Sequence, residues 1–168
     1  MIRCQLGERP AFDALIARWH DALWRYLRRL ANDDEVARDL AQDTWLRVFR
    51  GIARLRAAPA FRPWLFGIAR RVAMDRLRAQ YAAPRAADVE IEELSADGEA
   101  VNLEAEMATL EANVAALPIV ERETLTLFHL RELSLEEIAA LTHVPVGTVK
   151  SRLFRARRLL RTFYQEHT

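Results

Sequence analysis

Large apolar side chains recur at intervals of three and four along almost the whole chain, and this one pattern excludes most folds. Phe12, Leu15, Ile16, Trp19, Leu23 and Leu27 trace one helical stripe, and Ala37, Leu40, Ala41, Thr44, Val48 and Ile52 trace a second. No convincing run alternates apolar and polar residues as a half-buried strand does, and there are only five glycines in 168 residues. The chain is therefore expected to be all-α. The first helix should run from about Pro10 to Leu30. Asn32, Asp33 and Asp34 break and recap the chain, with acids suited to the positive end of a second helix over about 34–54. Residues 56–61 read as a loop. Pro63 sits where a first helical turn tolerates proline, and a third helix should continue to about Tyr81.

From Ala82 to about Asn102 the pattern gives way to Ala, Asp, Glu, Pro84 and Gly98, the composition of a linker. Helical pattern resumes near Leu103. Pro118 marks the start of a helix carrying Val120, Leu125, Leu127, Phe128 and Leu130, and two more short helices follow. The expected organisation is two small helical domains, 9–81 and 107–165, joined by a flexible acidic linker at 82–106.

Charge divides along the same lines. Residues 1–81 hold sixteen arginines against nine acids, 82–116 hold one arginine against nine acids, and 117–168 hold eight basic residues against six acids. Two basic regions flanking an acidic one suit a protein that grips a polyanion at two places, although solvated helix faces explain the charge equally well. No segment approaches the ~20 apolar residues that span a bilayer, and no secretory signal follows Met1. Cys4 is alone and cannot form an internal disulfide. His20, His129, His143 and His167 are scattered away from metal spacing. A cytoplasmic protein without metal or cofactor is expected.

Leu133 to Arg152 carries the most specific local signal. Ser134 can cap a helix and Glu137 can complete a capping box. Ala139 is small enough for a second helix to cross close by, a turn falls near Thr142–Val144, and Pro145 opens the next helix. This is the spacing of a helix-turn-helix, whose second helix lies in the major groove. At 100° per residue, Val149, Leu153, Ala156 and Leu160 fall within about 40° of one another and form a buried stripe. Ser151, Phe154 and Arg158 lie opposite, flanked by Lys150, Arg155 and Arg161. An exposed Phe on a basic helix suits contact with thymine methyls, while arginines suit guanine edges or phosphates.

The second helix carries another stripe away from its core residues: Asp39, Gln42, Asp43 and Leu46, with Trp45 and Phe49 beside it. Such a mixture suits a protein interface, and equally a solvated face. The third helix mixes Phe61, Trp64 and Phe66 with Arg70, Arg71, Arg76 and Arg78. Strand opening needs surfaces that stack an unpaired base and cations that hold its backbone, although on spacing alone Trp64 and Phe66 read better as core.

The run from Leu117-Pro118 through Arg122-Glu123 and Glu137-Ile138-Ala139 to Val146-Gly147-Thr148-Val149-Lys150-Ser151-Arg152-Leu153-Phe154-Arg155-Ala156-Arg157 resembles region four of the sigma-70 family. Asp39-Leu40-Ala41-Gln42-Asp43-Thr44-Trp45-Leu46-Arg47-Val48-Phe49 resembles the polymerase-binding helix of region two, and the third helix is similar to the segment that melts and reads the minus-ten element. A middle domain is missing between them, which resembles the extracytoplasmic-function (ECF) group. The resemblance implies a sigma factor, not an enzyme, with core RNA polymerase, promoter DNA and an anti-sigma factor as partners. It places Asp39, Gln42, Asp43 and Leu46 on the clamp helices of the largest core subunit, and region four on the second-largest. It places Lys150, Ser151, Phe154 and Arg155, with Arg158 on the same face, at the minus-thirty-five element. Arg56, Phe61, Trp64, Arg70, Arg71 and Arg78 fall at the minus-ten element. Arg71 departs from the family, where Asn is common.

Such elements lie about twenty base pairs apart, or roughly 70 Å at 3.4 Å each. A linker of roughly 25 residues can extend to about 85 Å, which reaches. A response-regulator output domain shares a similar helix-turn-helix, but the basic aromatic helix before the linker argues against that class. Nothing resembles a glycine-rich phosphate loop or a nucleophile–base arrangement, so an enzyme is the most distant reading.

Overall fold

The computed structural model describes residues 2–55, 57–82, 103–129 and 133–166, and every regular element among them is helical. A short α1 (Ile2–Gln5) precedes α2 (Arg9–Ala31), α3 (Asp34–Gly51), two 3-10 turns (Ile52–Arg54 and Ala58–Ala60) and α4 (Phe61–Ala82). The C-terminal half holds α5 (Leu103–Ala116), α6 (Ile119–His129), α7 (Leu135–Thr142) and α8 (Val146–Glu166). Most of the expected linker, and Arg56 and Leu130, lie outside the described residues.

The break between α2 and α3 follows from three residues. Asn32 takes the left-handed conformation at φ 56°, which Asn tolerates better than most, and its N–H donates to the Arg28 carbonyl. Asp33 then caps α3 by accepting from the Val36 amide at 2.9 Å, and Asp34 and Glu35 occupy the first turn. The expected stripe of α3 is buried throughout, from Ala37 to Ile52. It packs with Leu23, Tyr26, Leu27 and Leu30 of α2 and with Leu65, Phe66, Ala69, Val72 and Ala73 of α4. The alanines let the helices approach closely. The Thr44 hydroxyl donates to the Leu40 carbonyl at 2.7 Å, so its polar atom enters the core satisfied.

Gly51 is required by close approach. A Cβ there would stand 2.9 Å from Cζ2 of Trp64, so the indole seats α4 directly on the end of α3. Helix α1 was not expected from the apolar spacing. Its Gln5 side chain donates to the Leu55 carbonyl at 2.6 Å and tethers the 3-10 turn that follows α3.

In the C-terminal half both arms of the capping box form: the Ser134 hydroxyl accepts from the Glu137 amide at 3.1 Å, and the Ser134 amide donates to Glu137 Oε2 at 2.7 Å. His143 ends α7 in the left-handed conformation at φ 56°. One expectation needs correction. The last helix is not short but 21 residues long, because its apolar stripe continues through half-buried Leu159, Leu160 and Phe163.

The two halves touch. Helix α6 is buried over seven successive residues, Glu121–Leu127, because it packs on α8 along one side and on α2 along another. Five of those seven carry polar or charged side chains that find partners, among them Arg122 Nη1 on the Ala115 carbonyl at 2.8 Å and Thr126 Oγ1 on the Arg122 carbonyl at 2.8 Å. Helix α7 rests on α4. This contact between halves was not expected from the sequence.

Candidate nucleic-acid and polymerase interfaces

Helix α8 presents the face expected of it. Val149, Leu153 and Ala156 are buried and Leu160 is half-buried, while Lys150, Ser151, Phe154, Arg155, Arg158 and Arg161 point outward. Phe154 is 66% exposed, and no ring contact covers it among the described residues. The ring stands among cations, where it is open to an apolar group such as a thymine methyl. The Ser151 hydroxyl donates to the Thr148 carbonyl at 2.9 Å, which leaves its oxygen able to accept from a base. Arg155 is partly committed, its Nε 3.2 Å from Oε1 of the buried Glu121. Lys150 and Arg158 form no ion pair among the described residues.

On α3, Asp39 and Gln42 are exposed and Leu46 is 47% exposed, all turned away from the core stripe. Asp43 is half-buried and pairs with Arg47 one turn later at 3.0 Å. Trp45, expected beside this stripe, is a core residue: its ring is buried and meets Phe12 edge-on at 6.1 Å. Phe49, by contrast, is 60% exposed and rests on Phe12 at 5.1 Å. The face is thus an apolar ridge of Leu46 and Phe49 bordered by acids and an amide.

Helix α4 divides the residues expected at a melted strand. Phe61 is only 3% exposed, held between Trp19 at 6.0 Å and Trp64 at 6.1 Å, so in this structure it is a packing residue and faces no ligand. Phe66 is fully buried, edge-on to Tyr26 at 5.5 Å. Trp64 is half-buried against Gly51. Arg71 and Arg78 are exposed, the latter 3.6 Å from Asp75. Arg70 is half-buried. Its Nε lies 2.9 Å from Oε1 of Glu123, to which the Tyr26 hydroxyl also donates at 3.2 Å. Arg62, which the sequence did not single out, places Nη2 3.0 Å from both oxygens of Glu137.

These pairs set the local electrostatics. Complete burial pushes the Glu123 carboxyl up, and the Arg70 guanidinium and Tyr26 hydroxyl offset that only in part. Burial, with Glu123 alongside, pushes the Tyr26 hydroxyl well above its usual range. Burial also acts to raise Glu137, but the Ser134 amide and Arg62 outweigh it and hold the carboxyl below the usual range. Tyr26 and Glu123 stand 97 positions apart, so no local spacing could have paired them. Among the described residues no group of His, Cys, Asp and Glu could hold a metal ion, and no helix is long and apolar enough to cross a membrane.

Known proteins carry the same two segments in the same order. The description Sigma-70 region 2 matches residues 15–82, and Sigma-70, region 4 matches residues 108–160. The RNA polymerase sigma-H factor of Pseudomonas aeruginosa is 32% identical over 167 residues, covering 92% of this chain and 86% of that one. The ECF RNA polymerase sigma-E factor of Escherichia coli is 35% identical over 167 residues, covering 92% and 87%. Two solved structures share the fold. CnrH in complex with the cytosolic domain of CnrY matches at a TM-score of 0.73 and 23% identity, over 99% of this chain and 96% of that one. The sigma factor RpoE in complex with the anti-sigma factor NepR from Bartonella quintana matches at 0.75 and 22%, over 92% and 97%.

Proposed function

The chain belongs to the ECF group of the sigma-70 family, and from that premise we propose that it binds core RNA polymerase and directs initiation at promoters with two recognised elements. The N-terminal half, about 9–81, docks on polymerase and holds the minus-ten element as an opened strand. The C-terminal half, about 107–165, reads the minus-thirty-five element as duplex, and the acidic segment between them bridges the two. Bond formation is left to the polymerase. The site of action is the cytoplasm, where that polymerase works, and a protein antagonist of the anti-sigma kind is an expected partner.

One observation supports this reading best: each half has an outward face that its own core does not use. On α8 that face is Lys150, Ser151, Phe154, Arg155 and Arg158, a basic surface with an uncovered ring. Phosphate contacts from such a face position the protein and base contacts specify the site. On α3 it is Asp39, Gln42, Asp43 and Leu46, with Phe49 as an added apolar anchor. Aromatic and apolar anchors within a polar rim are what a protein interface uses. Between them, Arg70, Arg71 and Arg78 line one side of α4 as cations for a displaced backbone, and Trp64 is the aromatic nearest the surface there.

The test is co-elution of the chain with purified core enzyme, followed by transcription with and without it. A stable complex and transcripts that require the chain are expected. A chain that binds duplex DNA by itself and leaves core enzyme untouched would instead be an ordinary repressor or activator.

A further inference from the structure

The segment between α3 and α4 is held at both ends by side chains from elsewhere in the chain. At its start the Gln5 amide reaches over from α1 and donates to the Leu55 carbonyl at 2.6 Å and to the Ile52 carbonyl at 3.4 Å. Ile52 is the first residue of the 3-10 turn and Leu55 caps it, with the Leu55 amide donating to the Ile52 carbonyl at 3.1 Å. One side chain thus pins both ends of the turn. At the far end Phe61 is seated between Trp19 and Trp64, and Trp64 rests on Gly51. Between these anchors Ala57, Ala58, Pro59 and Ala60 are all exposed, and none carries a polar side-chain atom. Any polar contact that this stretch makes is made by its main chain, whose donors and acceptors aim wherever the backbone is held.

Helix α1 is built to hold Gln5 still. Cys4 is buried beside it, and Arg3 pairs with Glu8 at 2.7 Å. The amides of Leu6, Gly7 and Glu8 close the helix end on the carbonyls of Ile2, Cys4 and Arg3 at 3.0 to 3.1 Å. Gly7 makes the reversal at φ 81°, a conformation that side chains rarely adopt. We propose that Gln5 is a positioning residue for the minus-ten element: by fixing the exit of the turn at Leu55, it sets the backbone of residues 57–60 in the arrangement that discriminates among downstream bases. The proposal rests on the reading of α4 and the stretch before it as the surface for the opened strand. A stretch held in advance loses little freedom on meeting a base. One released at Leu55 orders only on binding and is free to shift to suit other bases, so discrimination falls further than overall affinity. Phe61, expected at the element itself, is the far anchor of the same stretch.

Two substitutions separate the donor from the bulk of the side chain. Gln5→Met keeps the length and removes the donor, and Gln5→Lys supplies another donor able to reach the same carbonyls. Each full-length variant is assembled with purified core enzyme. Affinity is then measured for fork-junction DNA carrying the promoter motif selected by the unaltered chain, with bases exchanged one downstream position at a time. Gln5→Met should reduce the ratio between preferred and other bases at one or more downstream positions by about two- to tenfold, the scale of one hydrogen bond. Affinity for core enzyme and preference at the upstream element should stay within about twofold, as for a substitution away from both surfaces. Gln5→Lys should restore the downstream ratio. In the free chain, exchange of the Leu55 amide should quicken in Gln5→Met. Unchanged ratios at every downstream position, or an unchanged Leu55 exchange rate, would overturn the proposal. So would a lost ratio that Gln5→Lys leaves lost, or an equal loss at both elements and at core enzyme, the mark of a helix that only stabilises the fold. A flat downstream preference in the unaltered chain would instead sink the reading of the strand-holding surface, and the proposal with it.

Discussion

The double substitution Gln42→Ala with Leu46→Ala removes two side chains that the fold does not use and that docking on polymerase would. Leu46 is 47% exposed, so roughly half of its apolar surface remains to be buried by a partner. Full burial of a Leu side chain contributes about 1.5–3 kcal/mol, which leaves about 1 kcal/mol for the part now in water. A hydrogen bond from Gln42 adds about 0.5–1.5 kcal/mol. Together the pair should weaken core binding by about 1.5–2.5 kcal/mol, or roughly 10- to 70-fold in Kd. The same reasoning limits the cost to the fold. Neither side chain belongs to the buried stripe of Ala37, Leu40, Ala41, Thr44 and Val48, so the loss should stay near 1 kcal/mol against a domain stability of about 5–15 kcal/mol. Titration of the labelled variant with purified core enzyme gives the affinity, and circular dichroism and thermal melting on the same sample give the fold. A folded variant that binds core within twofold of the unaltered chain would refute the docking assignment.

Three further outcomes follow from named contacts. Ser151→Ala and Phe154→Ala should each weaken binding at particular upstream bases by ~1–3 kcal/mol, whereas Arg158→Ala should weaken all sequences alike and reduce the salt slope by about 1; equal loss on every sequence in all three would mean that α8 positions and does not read. Arg71→Asn should change the preferred downstream base and leave the upstream motif intact, read by selection from a promoter library; an unchanged downstream motif would place Arg71 on the backbone. Because the Glu137 carboxyl is held low in the folded chain, its stabilising contribution is present above the usual value of about 4.3 and is lost as pH falls through the lowered value. Thermal melts between about pH 3 and 6 should therefore show a steeper acid loss for the unaltered chain than for Glu137→Gln, and identical slopes would remove the assignment.

What the sequence made legible was local. The capping box of Ser134 and Glu137, the stop and restart at Asn32 and Asp33, and the burial of Val149, Leu153 and Ala156 all depend on neighbours within one or two turns. Spacing alone decides such features. What it hid depends on residues far apart. Gln5 finds the Leu55 carbonyl 50 positions away, and Tyr26 finds Glu123 at 97. Aromatic residues on α4 were harder still, since Phe61 and Trp64 share a helix end and only the positions of Trp19 and Gly51 decide that one is enclosed and the other half-open. Trp45 and Phe49, which spacing puts side by side, part ways because Phe12 of α2 helps enclose the first ring and supports the second from one side. Composition likewise showed two basic regions without showing that Arg62 and Arg70 would be matched by acids of the other half.

The property on which everything else turns is the two-element promoter recognition that this chain should confer on core polymerase. It is tested most directly by transcribing a randomised promoter library with core enzyme and the chain, then sequencing the starts together with the DNA upstream of them. Starts should depend on the chain and share an upstream and a downstream motif at one fixed spacing. Ser151→Ala or Phe154→Ala should blur only the upstream motif, and Arg71→Asn should alter only the downstream one. Starts independent of the chain, or a single twofold-symmetric motif bound without core enzyme, would contradict it.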